Sequence, residues 1–241
     1  MPENITAELF VERLWKLQSD EELAKIQRYF KSGKGQYGEG DKFIGVRMGQ
    51  LFALAKEFVA MPPLEIEKLL QDNIHEIRAG ALSIMDKQAR IKKTPESRRK
   101  ELYELYIRRH DRINNWDLVD VSCIYVVGGY LFDKPRDILY QLAVSDNMWE
   151  RRTAIVSTAY FLKYGQVDDT FKIAEILLHD EQDLIHKAVG GWIRQAGKNK
   201  HRARLLEFLD QFAATMPRTM LRYAIEHLDD AQRKHYMGLK K

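Results

Sequence analysis

A tryptophan and an aspartate near the middle of the sequence have residue types and a spacing that could support chemistry. Trp116 and Asp120 are four residues apart, so they share one face if the segment is helical. Asp120 is flanked by apolar residues such as Leu118 and Val121, where desolvating a carboxylate is costly unless a cation or hydrogen bonds compensate for it. The residues alone leave two interpretations open: a functional acid, or a structural aspartate paired with an arginine such as Arg152.

Other familiar site motifs are absent or misplaced. Gly33, Gly35 and Gly38 have the spacing of a dinucleotide-binding loop, but they follow a predicted helix rather than a strand. We interpret residues 31–42 as a flexible connector between helices. The seven histidines form no HExxH or Cys/His set, and neither a phosphate-binding loop nor a Gly-x-Ser-x-Gly elbow is present. We therefore expect no metal site and no cofactor.

The distribution of charge is more informative than its sum. The formal net charge is +4 and the isoelectric point is about 8.9, which permits an anionic partner without requiring one. A run of cations without an acid, which surrounds Trp192, predicts a surface that contacts phosphates. Its members are Lys187, Arg194, Lys198, Lys200, Arg202 and Arg204. A second group of cations is as consistent with a solvated face as with a binding surface. Its members are Arg90, Lys92, Lys93, Arg98, Arg99 and Lys100.

The signals for secondary structure are almost entirely helical. Ser19 and Glu22 form a capping box at a helix start, and the alternating pattern of exposed strands is absent. Segment 119–127 is rich in β-branched residues and could be a strand in isolation. Among helical hairpins we interpret it as a buried helix.

An internal repeat indicates the architecture. Four segments consist of a basic residue followed by small or apolar residues. The basic residues of successive segments are 74, 35 and 35 positions apart. They are Arg78-Ala79-Gly80-Ala81, Arg152-Thr153-Ala154-Ile155, Lys187-Ala188-Val189-Gly190 and Arg222-Tyr223-Ala224-Ile225. The first interval is about two periods, with a missing element near 115–117, and periods of roughly 40 residues are typical of HEAT-type antiparallel helix pairs. Small residues would allow close packing, and the recurring cation would form one basic face; the alternative is coincidence among amphipathic helices.

The chain-level expectations are simple. We expect a single repeat domain over 1–241, with N-terminal helices and a Gly-rich connector in 1–45, the repeat array in 46–230, and a polar tail in 231–241. Within the tail, we expect Arg233 to Lys241 to be frayed. A single cysteine, Cys123, excludes an internal disulfide. No signal pattern, membrane span or oligomerisation signal is evident, so we expect a cytoplasmic monomer.

Several sequence blocks, in this order and spacing, are similar to one known family. They are Tyr29-Phe30-Lys31, Tyr37-Gly38-Glu39-Gly40-Asp41-Lys42-Phe43-Ile44-Gly45-Val46, Arg78-Ala79-Gly80-Ala81-Leu82, Trp116-Asp117-Leu118-Val119-Asp120, Ser145-Asp146-Asn147-Met148-Trp149-Glu150-Arg151-Arg152 and Ile185-His186-Lys187-Ala188-Val189-Gly190. Over nearly its whole length the sequence resembles the HEAT-like-repeat alkylpurine DNA glycosylases, the AlkD-type DNA alkylation repair enzymes.

The resemblance implies a fold and an activity. The fold is an all-α, right-handed superhelical solenoid of HEAT-like antiparallel helix pairs. The activity is that of a monofunctional DNA glycosylase, which hydrolyses the N-glycosidic bond of cationic alkylated purines, such as 3-methyladenine and 7-methylguanine, in duplex DNA. Such an enzyme needs no metal and no Schiff-base lysine, and it would be associated with the nucleoid when bound to DNA.

The resemblance also implies roles for individual residues. Asp120 matches the catalytic carboxylate, which stabilises an oxocarbenium-like sugar and orients water, and Trp116 matches its partner tryptophan. Tyr29, Arg152 and Arg194 match positions that face the DNA. The cationic run supplies two further candidates for binding substrate or DNA. They are Lys187 and Trp192, the tryptophan that lies within the run.

One position departs from the family pattern. The family carries a second active-site tryptophan directly after a single glycine in the block that begins Lys187-Ala188. Here that position is Gly191 and the tryptophan follows at Trp192, about 100° further round a helix. Either the helix changes register locally or the site is built differently. The alternative to an enzyme is a non-catalytic HEAT-like array that binds DNA or a protein partner along one face.

Overall fold

The computed structural model describes residues 5–31 and 33–239, with the backbone alone at Asn199. Within these residues the secondary structure is helical, and β-type pairing is limited to an isolated bridge between Lys42 and Ile74. The prediction of an all-α protein is confirmed. The ambiguous segment 119–127 is also helical, because Trp116–Cys123 forms an α-helix that continues as one π-helical turn over Ile124–Gly128.

Two compact units divide the chain, Met1–Tyr130 and Leu131–Lys241. The described α-helices of the first unit are α1 (Ala7–Trp15), α2 (Asp20–Tyr29), α3 (Met48–Glu57), α4 (Pro63–Leu70), α5 (His75–Arg90), α6 (Glu96–Arg108) and α7 (Trp116–Cys123). Those of the second unit are α8 (Asp137–Ala143), α9 (Met148–Ser157), α10 (Ala159–Leu162), α11 (Asp168–Ile176), α12 (Asp183–Ala196), α13 (Arg202–Phe212), α14 (Arg218–Ala224) and α15 (Asp230–Gly238).

Side-chain caps explain where two functionally relevant helices begin. The Ser19 hydroxyl accepts a hydrogen bond from the Glu22 N–H at 3.4 Å, as the capping sequence before α2 predicts. The Asn115 side-chain oxygen accepts a hydrogen bond from the Trp116 N–H at 2.8 Å. This cap fixes the start of α7, the helix that carries Trp116 and Asp120.

The four similar segments occupy nearly the same place in four helices. Arg78 is the fourth residue of α5, and Arg152, Lys187 and Arg222 are the fifth residues of α9, α12 and α14. The expected basic face is not uniform, however. Arg78 is only 3% exposed and pairs with Asp41 at 2.8 Å, because the connector before α3 places a carboxylate over it.

Small residues in these segments allow helices to pack closely. A Cβ atom on Gly190 would overlap the carbonyl oxygen of Met220 in α14, and one on Gly80 would overlap the ring of Phe10 in α1. The backbone of α12 can therefore approach α14 closely, as the repeat predicts.

The connector between α2 and α3 is anchored at its end rather than flexible throughout. The Lys42 carbonyl oxygen accepts a hydrogen bond from the His75 N–H at 2.8 Å. Gly45 has a φ of 83°, and a side chain there would overlap the Ser19 carbonyl oxygen, so both conformation and space require glycine. Ser32, which the predicted connector includes, lies outside the described residues.

The C-terminal segment expected to fray contains a helix. Helix α15 covers Asp230–Gly238 and is capped by the Asp229 side chain, which accepts from the Gln232 N–H at 2.8 Å. Tyr236 is buried and its hydroxyl donates to the Asp210 carboxylate at 2.7 Å. This anchor explains why the polar segment is ordered; Lys240 and Lys241 lie outside the described residues.

Candidate active site

Trp116 and Asp120 both line a pocket of about 720 Å³ in the first unit. They lie one turn apart on α7, and both side chains are half-buried. Tyr29, the last residue of α2, lines the same pocket. The structure thus brings together three of the predicted site residues, and we call this space the first-unit pocket.

Aromatic rings hold Trp116 in place at this pocket. The Phe30 ring is stacked on the indole with centroids 5.7 Å apart and an interplanar angle of 23°, and Tyr29 meets the indole edge-on at 6.0 Å. Phe30 in turn is stacked on Phe43 at 5.2 Å. We call Tyr29, Phe30, Phe43 and Trp116 the aromatic wall; its π-faces can attract a cation.

A buried histidine packs against the aromatic wall. The His75 ring lies 5.0 Å from the ring of Phe30 and 4.8 Å from that of Phe43. Its Nε2 is 2.8 Å from the Asp117 carboxylate, and its Nδ1 is 3.6 Å from that of Asp41. Burial alone would lower the pKa of His75, but the two carboxylates outweigh burial and raise the pKa to about 9. His75 is therefore a cation at neutral pH.

Asp117, rather than Asp120, is the deeply buried carboxylate of α7. Its exposed fraction is 8%, whereas Asp120 is half-buried and lines the first-unit pocket. The sequence indicated a costly burial only for Asp120. The structure buries Asp117 more deeply, because α7 packs on α5 with residue 117 turned toward His75.

The Asp41 side chain links the loop between α2 and α3 to the start of α7. Its carboxylate accepts hydrogen bonds from Arg78 at 2.8 Å, from Asn114 at 3.1 Å and from Asn115 at 2.8 Å. Burial would raise the pKa of Asp41, but the close approach of the His75 Nδ1, the hydrogen bond from Asn115 and the charges of His75 and Arg78 together lower it. Because Asn115 caps α7, these contacts position the helix that carries the site.

Glu76 holds the loop that carries Phe43. The side chain is 1% exposed, and its carboxylate accepts hydrogen bonds from the N–H groups of Ile44, Gly45 and Val46 at 3.1, 2.9 and 3.4 Å. The loop backbone is thereby satisfied without a strand partner. Glu76 also lines the first-unit pocket.

Sequence reasoning missed His75, Asp41 and Glu76. Asp41 stands inside one of the blocks that carry the family resemblance, but nothing in the sequence pattern shows that it meets a histidine 34 residues later. The remaining signal, a His-Glu pair at the start of a repeat helix just before Arg78, is weak.

A pocket of about 290 Å³ in the second unit gathers the other predicted residues. We call it the second-unit pocket; Arg152, Lys187, Trp192 and Arg194 line it. Gly191 also borders it, and a Cβ atom there would meet nothing within 4 Å. Both the position where the resembled family has tryptophan and the shifted Trp192 therefore border the same space.

Two cations of the second-unit pocket pair with carboxylates near the surface. Lys187 pairs with Asp183 one turn earlier, at 2.6 Å, with side chains 42% and 57% exposed. Arg194 pairs with Glu226. The exposed Lys187–Asp183 pair contributes little to stability, so a phosphate can replace the Asp183 carboxylate at small cost.

Arg152 is the most buried of these cations. Its Nη1 donates to the carbonyl oxygen of Leu184 at 2.8 Å, which fixes the guanidinium against the first turn of α12. This contact uses one of the guanidinium's several N–H donors.

Three members of the cationic run lie near His227 in the second unit. Desolvation lowers the pKa of His227, and the charges of Arg194, Lys198 and Arg202 lower it further. Each of these three cations is close enough to His227 to disfavour protonation of its imidazole. This supports the predicted phosphate-contacting surface.

Two members of the second group of cations, Arg90 and Arg99, stabilise the end of α5 instead. Arg90 pairs with Asp86 at 2.6 Å and lies over the Tyr125 ring at 3.7 Å. Arg99 donates to the carbonyl oxygens of Ala89 and Ile91. These contacts favour the structural interpretation of this group.

The comparisons with known proteins agree with this picture. The family model of the DNA alkylation repair enzymes matches residues 10–228. The chain belongs to this family. A DNA alkylation repair enzyme acts in DNA repair, and the match includes both the first-unit and the second-unit pocket residues.

A solved structure shows the same fold. It is described as a predicted DNA alkylation repair enzyme from Enterococcus faecalis, with a TM-score of 0.71 and 19% sequence identity over 88% of this chain and 97% of that one. At this identity the likeness establishes the fold alone. No curated protein matches the sequence.

Three further properties of this DNA alkylation repair enzyme concern its described residues. They contain no group of three or more His, Cys, Asp or Glu side chains arranged to hold a metal ion. None of their helices has both the length and the apolar character that a bilayer crossing requires. Cys123 is a free, buried thiol.

Proposed function

We propose that this DNA alkylation repair enzyme is a monofunctional DNA glycosylase that hydrolyses the N-glycosidic bond of cationic alkylated purines in duplex DNA. The lesions are of the 3-methyladenine and 7-methylguanine type. The observation that carries the proposal is the presence of the Asp120 carboxylate and the Trp116 indole on one helix face of a pocket with an aromatic wall.

The chemistry suits a carboxylate without a metal. Alkylation of a purine ring nitrogen leaves the base positively charged, so the base departs with the electron pair of the glycosidic bond and becomes neutral. The sugar develops oxocarbenium character, which the negative charge of Asp120 stabilises. Water then adds to the sugar carbon, and its proton passes to Asp120 or to solvent, leaving an abasic site.

The aromatic wall supplies selectivity for charge. An indole or phenyl face favours a cation over a neutral group by roughly 0.5–2 kcal/mol, depending on desolvation. Trp116 is stacked on Phe30 and cannot turn freely. A cationic purine therefore binds the wall better than an undamaged base does.

Binding to DNA involves the second group of predicted residues. We assign phosphate contacts to Arg152, Lys187 and Arg194, and contacts with the nucleotides to Tyr29 and Trp192. Phosphate contacts carry no sequence information, so we expect little sequence preference. The basic second-unit pocket supports this assignment.

The finer architecture is part of the proposal. We infer a single repeat domain, monomeric, in which HEAT-like helix pairs form a right-handed superhelical solenoid. The support is the common place of Arg78, Arg152, Lys187 and Arg222 near the start of their helices, together with the close packing of α12 on α14 at Gly190.

The test is release of bases from methylated duplex DNA. Wild-type protein in a metal chelator should free 7-methylguanine or 3-methyladenine and leave abasic sites. Asp120→Asn removes the charge while keeping the shape, and it should lower the rate on the order of 10²–10³-fold with DNA affinity little changed. Asp168→Asn, an exposed aspartate at the start of α11, is the matched control and should keep the wild-type rate.

Two results would contradict the proposal. Wild-type protein that binds DNA but frees no base from alkylated substrate would make the chain a non-catalytic scaffold. Equal rates for Asp120→Asn and Asp168→Asn would remove Asp120 from the mechanism.

A further inference from the structure

A third pocket, of about 280 Å³, lies in the first unit and shares no residue with the first-unit pocket. Its lining is polar throughout. The side chains that matter below are those of Lys42, Asn73, Arg78, Arg112 and Asn114. We call it the polar pocket.

Two guanidinium groups meet at this pocket on a single carbonyl oxygen. Arg78 Nη1 donates to the Asp72 carbonyl oxygen at 3.0 Å, and Arg112 Nη2 donates to the same atom at 2.9 Å. The two nitrogens are therefore within about 6 Å of each other, a distance at which like charges repel appreciably. Burial lowers the pKa of Arg78, and the charge of Arg112 acts in the same direction while that of Asp41 opposes it.

The carboxylates at the pocket do not balance these charges. Asp41 is shared between Arg78 and the His75 cation. Asp111, which also lines the pocket, pairs with Arg109 at 3.5 Å. The Asp41 charge is thus divided between two cations, and the Asp111 charge is engaged with Arg109.

Arg112 and Lys42 supply the excess of positive charge. The Arg112 guanidinium donates to the main-chain oxygens of Leu70 and Asp72 and to the side-chain oxygen of Asn73, none of which is anionic. Lys42 is exposed at the pocket. The pocket therefore presents rigid donors and a surplus of cations.

We propose that the polar pocket binds one phosphate of the DNA backbone. A phosphate offers the negative charge and the several acceptor oxygens that Arg112 and Lys42 can contact together, beside the buried charge of Arg78. An anion there relieves the repulsion between Arg78 and Arg112. The proposal rests on the proposed function for its source of phosphate, and it extends the DNA contacts to a part of the first unit that contains neither Trp116 nor Asp120.

The experiment measures affinity for an undamaged duplex as a function of salt, by fluorescence anisotropy. Lys42→Gln and Arg112→Gln should each weaken binding several-fold, to the same degree for different sequences, and each should reduce the slope of log K against log salt by about 1. Lys56→Gln, which removes an exposed lysine in α3 outside the pocket, should leave the affinity and slope at wild-type values.

Folding is controlled separately because Arg112 also caps the end of α4. If circular dichroism shows that Arg112→Gln is unfolded, Lys42→Gln decides the question. Lys42 is exposed and lies outside the helices, so its side chain can be changed without exposing the core. Unchanged affinity and slope in Lys42→Gln overturn the proposal.

A second measurement distinguishes backbone phosphate from a free ion. Inorganic phosphate, added to isotope-labelled protein, should shift the amide resonances of Gly40 and Lys42 only weakly, and duplex DNA should compete for the same sites. Phosphate binding that Lys42→Gln abolishes, with DNA affinity unchanged, overturns the assignment to DNA. Failure of the glycosylase proposal would appear differently, as absent base release in wild-type protein that still shows the salt-slope change.

Discussion

The first-unit pocket and the second-unit pocket hold their charges in opposite ways. In the first unit the carboxylates of Asp41 and Asp117 are buried and contact the His75 cation. In the second unit the cations of Lys187 and Arg194 pair with carboxylates close to solvent.

This difference separates fixed geometry from adjustable charge. A buried, hydrogen-bonded ion network is strongly destabilised when one member is removed, because the partner is left uncompensated. Exposed pairs contribute little and exchange partners easily. The first unit is therefore suited to hold Trp116 and Asp120 in one arrangement, and the second to adapt to a phosphate backbone.

The largest effect should follow removal of the histidine cation. The pKa of His75 is raised from 6.5 to about 9 in the folded protein, so the folded state holds a proton that the unfolded state loses between these values. The stabilisation, about 3 kcal/mol, is present below pH 6.5 and is lost as the pH rises through 9. His75→Gln should be less stable by that amount at pH 6 and nearly equal to wild type at pH 9.5, measured by urea unfolding.

The control for this prediction is His179→Gln, which changes an exposed histidine in the second unit. It should follow the wild-type profile. If His75→Gln and wild type show parallel stability curves over the whole range, the buried cation is not what distinguishes the first unit.

A smaller effect should separate two adjacent glycines of α12. Gly190→Ala places a methyl group against the Met220 carbonyl and should reduce the free energy of unfolding by about 1–3 kcal/mol. Gly191→Ala faces open space and should be neutral or gain up to about 1 kcal/mol from helix propensity. Thermal denaturation of the pair tests this, and equal melting temperatures would show that the close approach of α12 and α14 is not tight.

The two tryptophans should affect different steps. Trp116→Ala should lower kcat for release of 7-methylguanine by the equivalent of about 0.5–2 kcal/mol, because Trp116 lies in the same pocket as Asp120, where positive charge develops on the sugar as the base departs. Trp192→Ala should raise KM and leave kcat nearly intact. Steady-state kinetics of both variants decides, and the reverse pattern would assign the reaction to the second-unit pocket.

The smallest change in stability should accompany loss of a surface pair. Lys187→Gln should alter the free energy of unfolding by less than about 0.5 kcal/mol, yet lower the salt slope of DNA binding by about 1. Lys172→Gln, on the exposed side of α11, should change neither quantity. A stability loss of several kcal/mol in Lys187→Gln would mean that the second unit depends on its ion pairs as the first does.

Much of the fold could be predicted because its signals are local. Caps such as Ser19 and the recurrence of small residues in Arg78–Ala81 and Lys187–Gly190 depend on neighbours a few residues away. The helical state of 119–127 followed from its surroundings and is confirmed. The shared helix face of Trp116 and Asp120 followed from their spacing alone, and both residues line the first-unit pocket.

The buried network could not be predicted in the same way. Asp41, His75 and Asp117 lie 34 and 42 positions apart in sequence, and their contacts depend on how α5, α7 and the connector pack. The repeat also predicted wrongly that Arg78 would contribute to a basic face, whereas Asp41 of the connector covers it. A repeated position specifies a place in a helix but not the loop that packs over that place.

By itself, the sequence determined the helices, their repeated register and the shared face of Trp116 and Asp120, because capping and helical period act over one or two turns. The tertiary structure decided which carboxylate of α7 is buried, which cations remain available to a phosphate, and that His75 carries a charge. Those outcomes depend on desolvation and on distances between groups that only packing brings together.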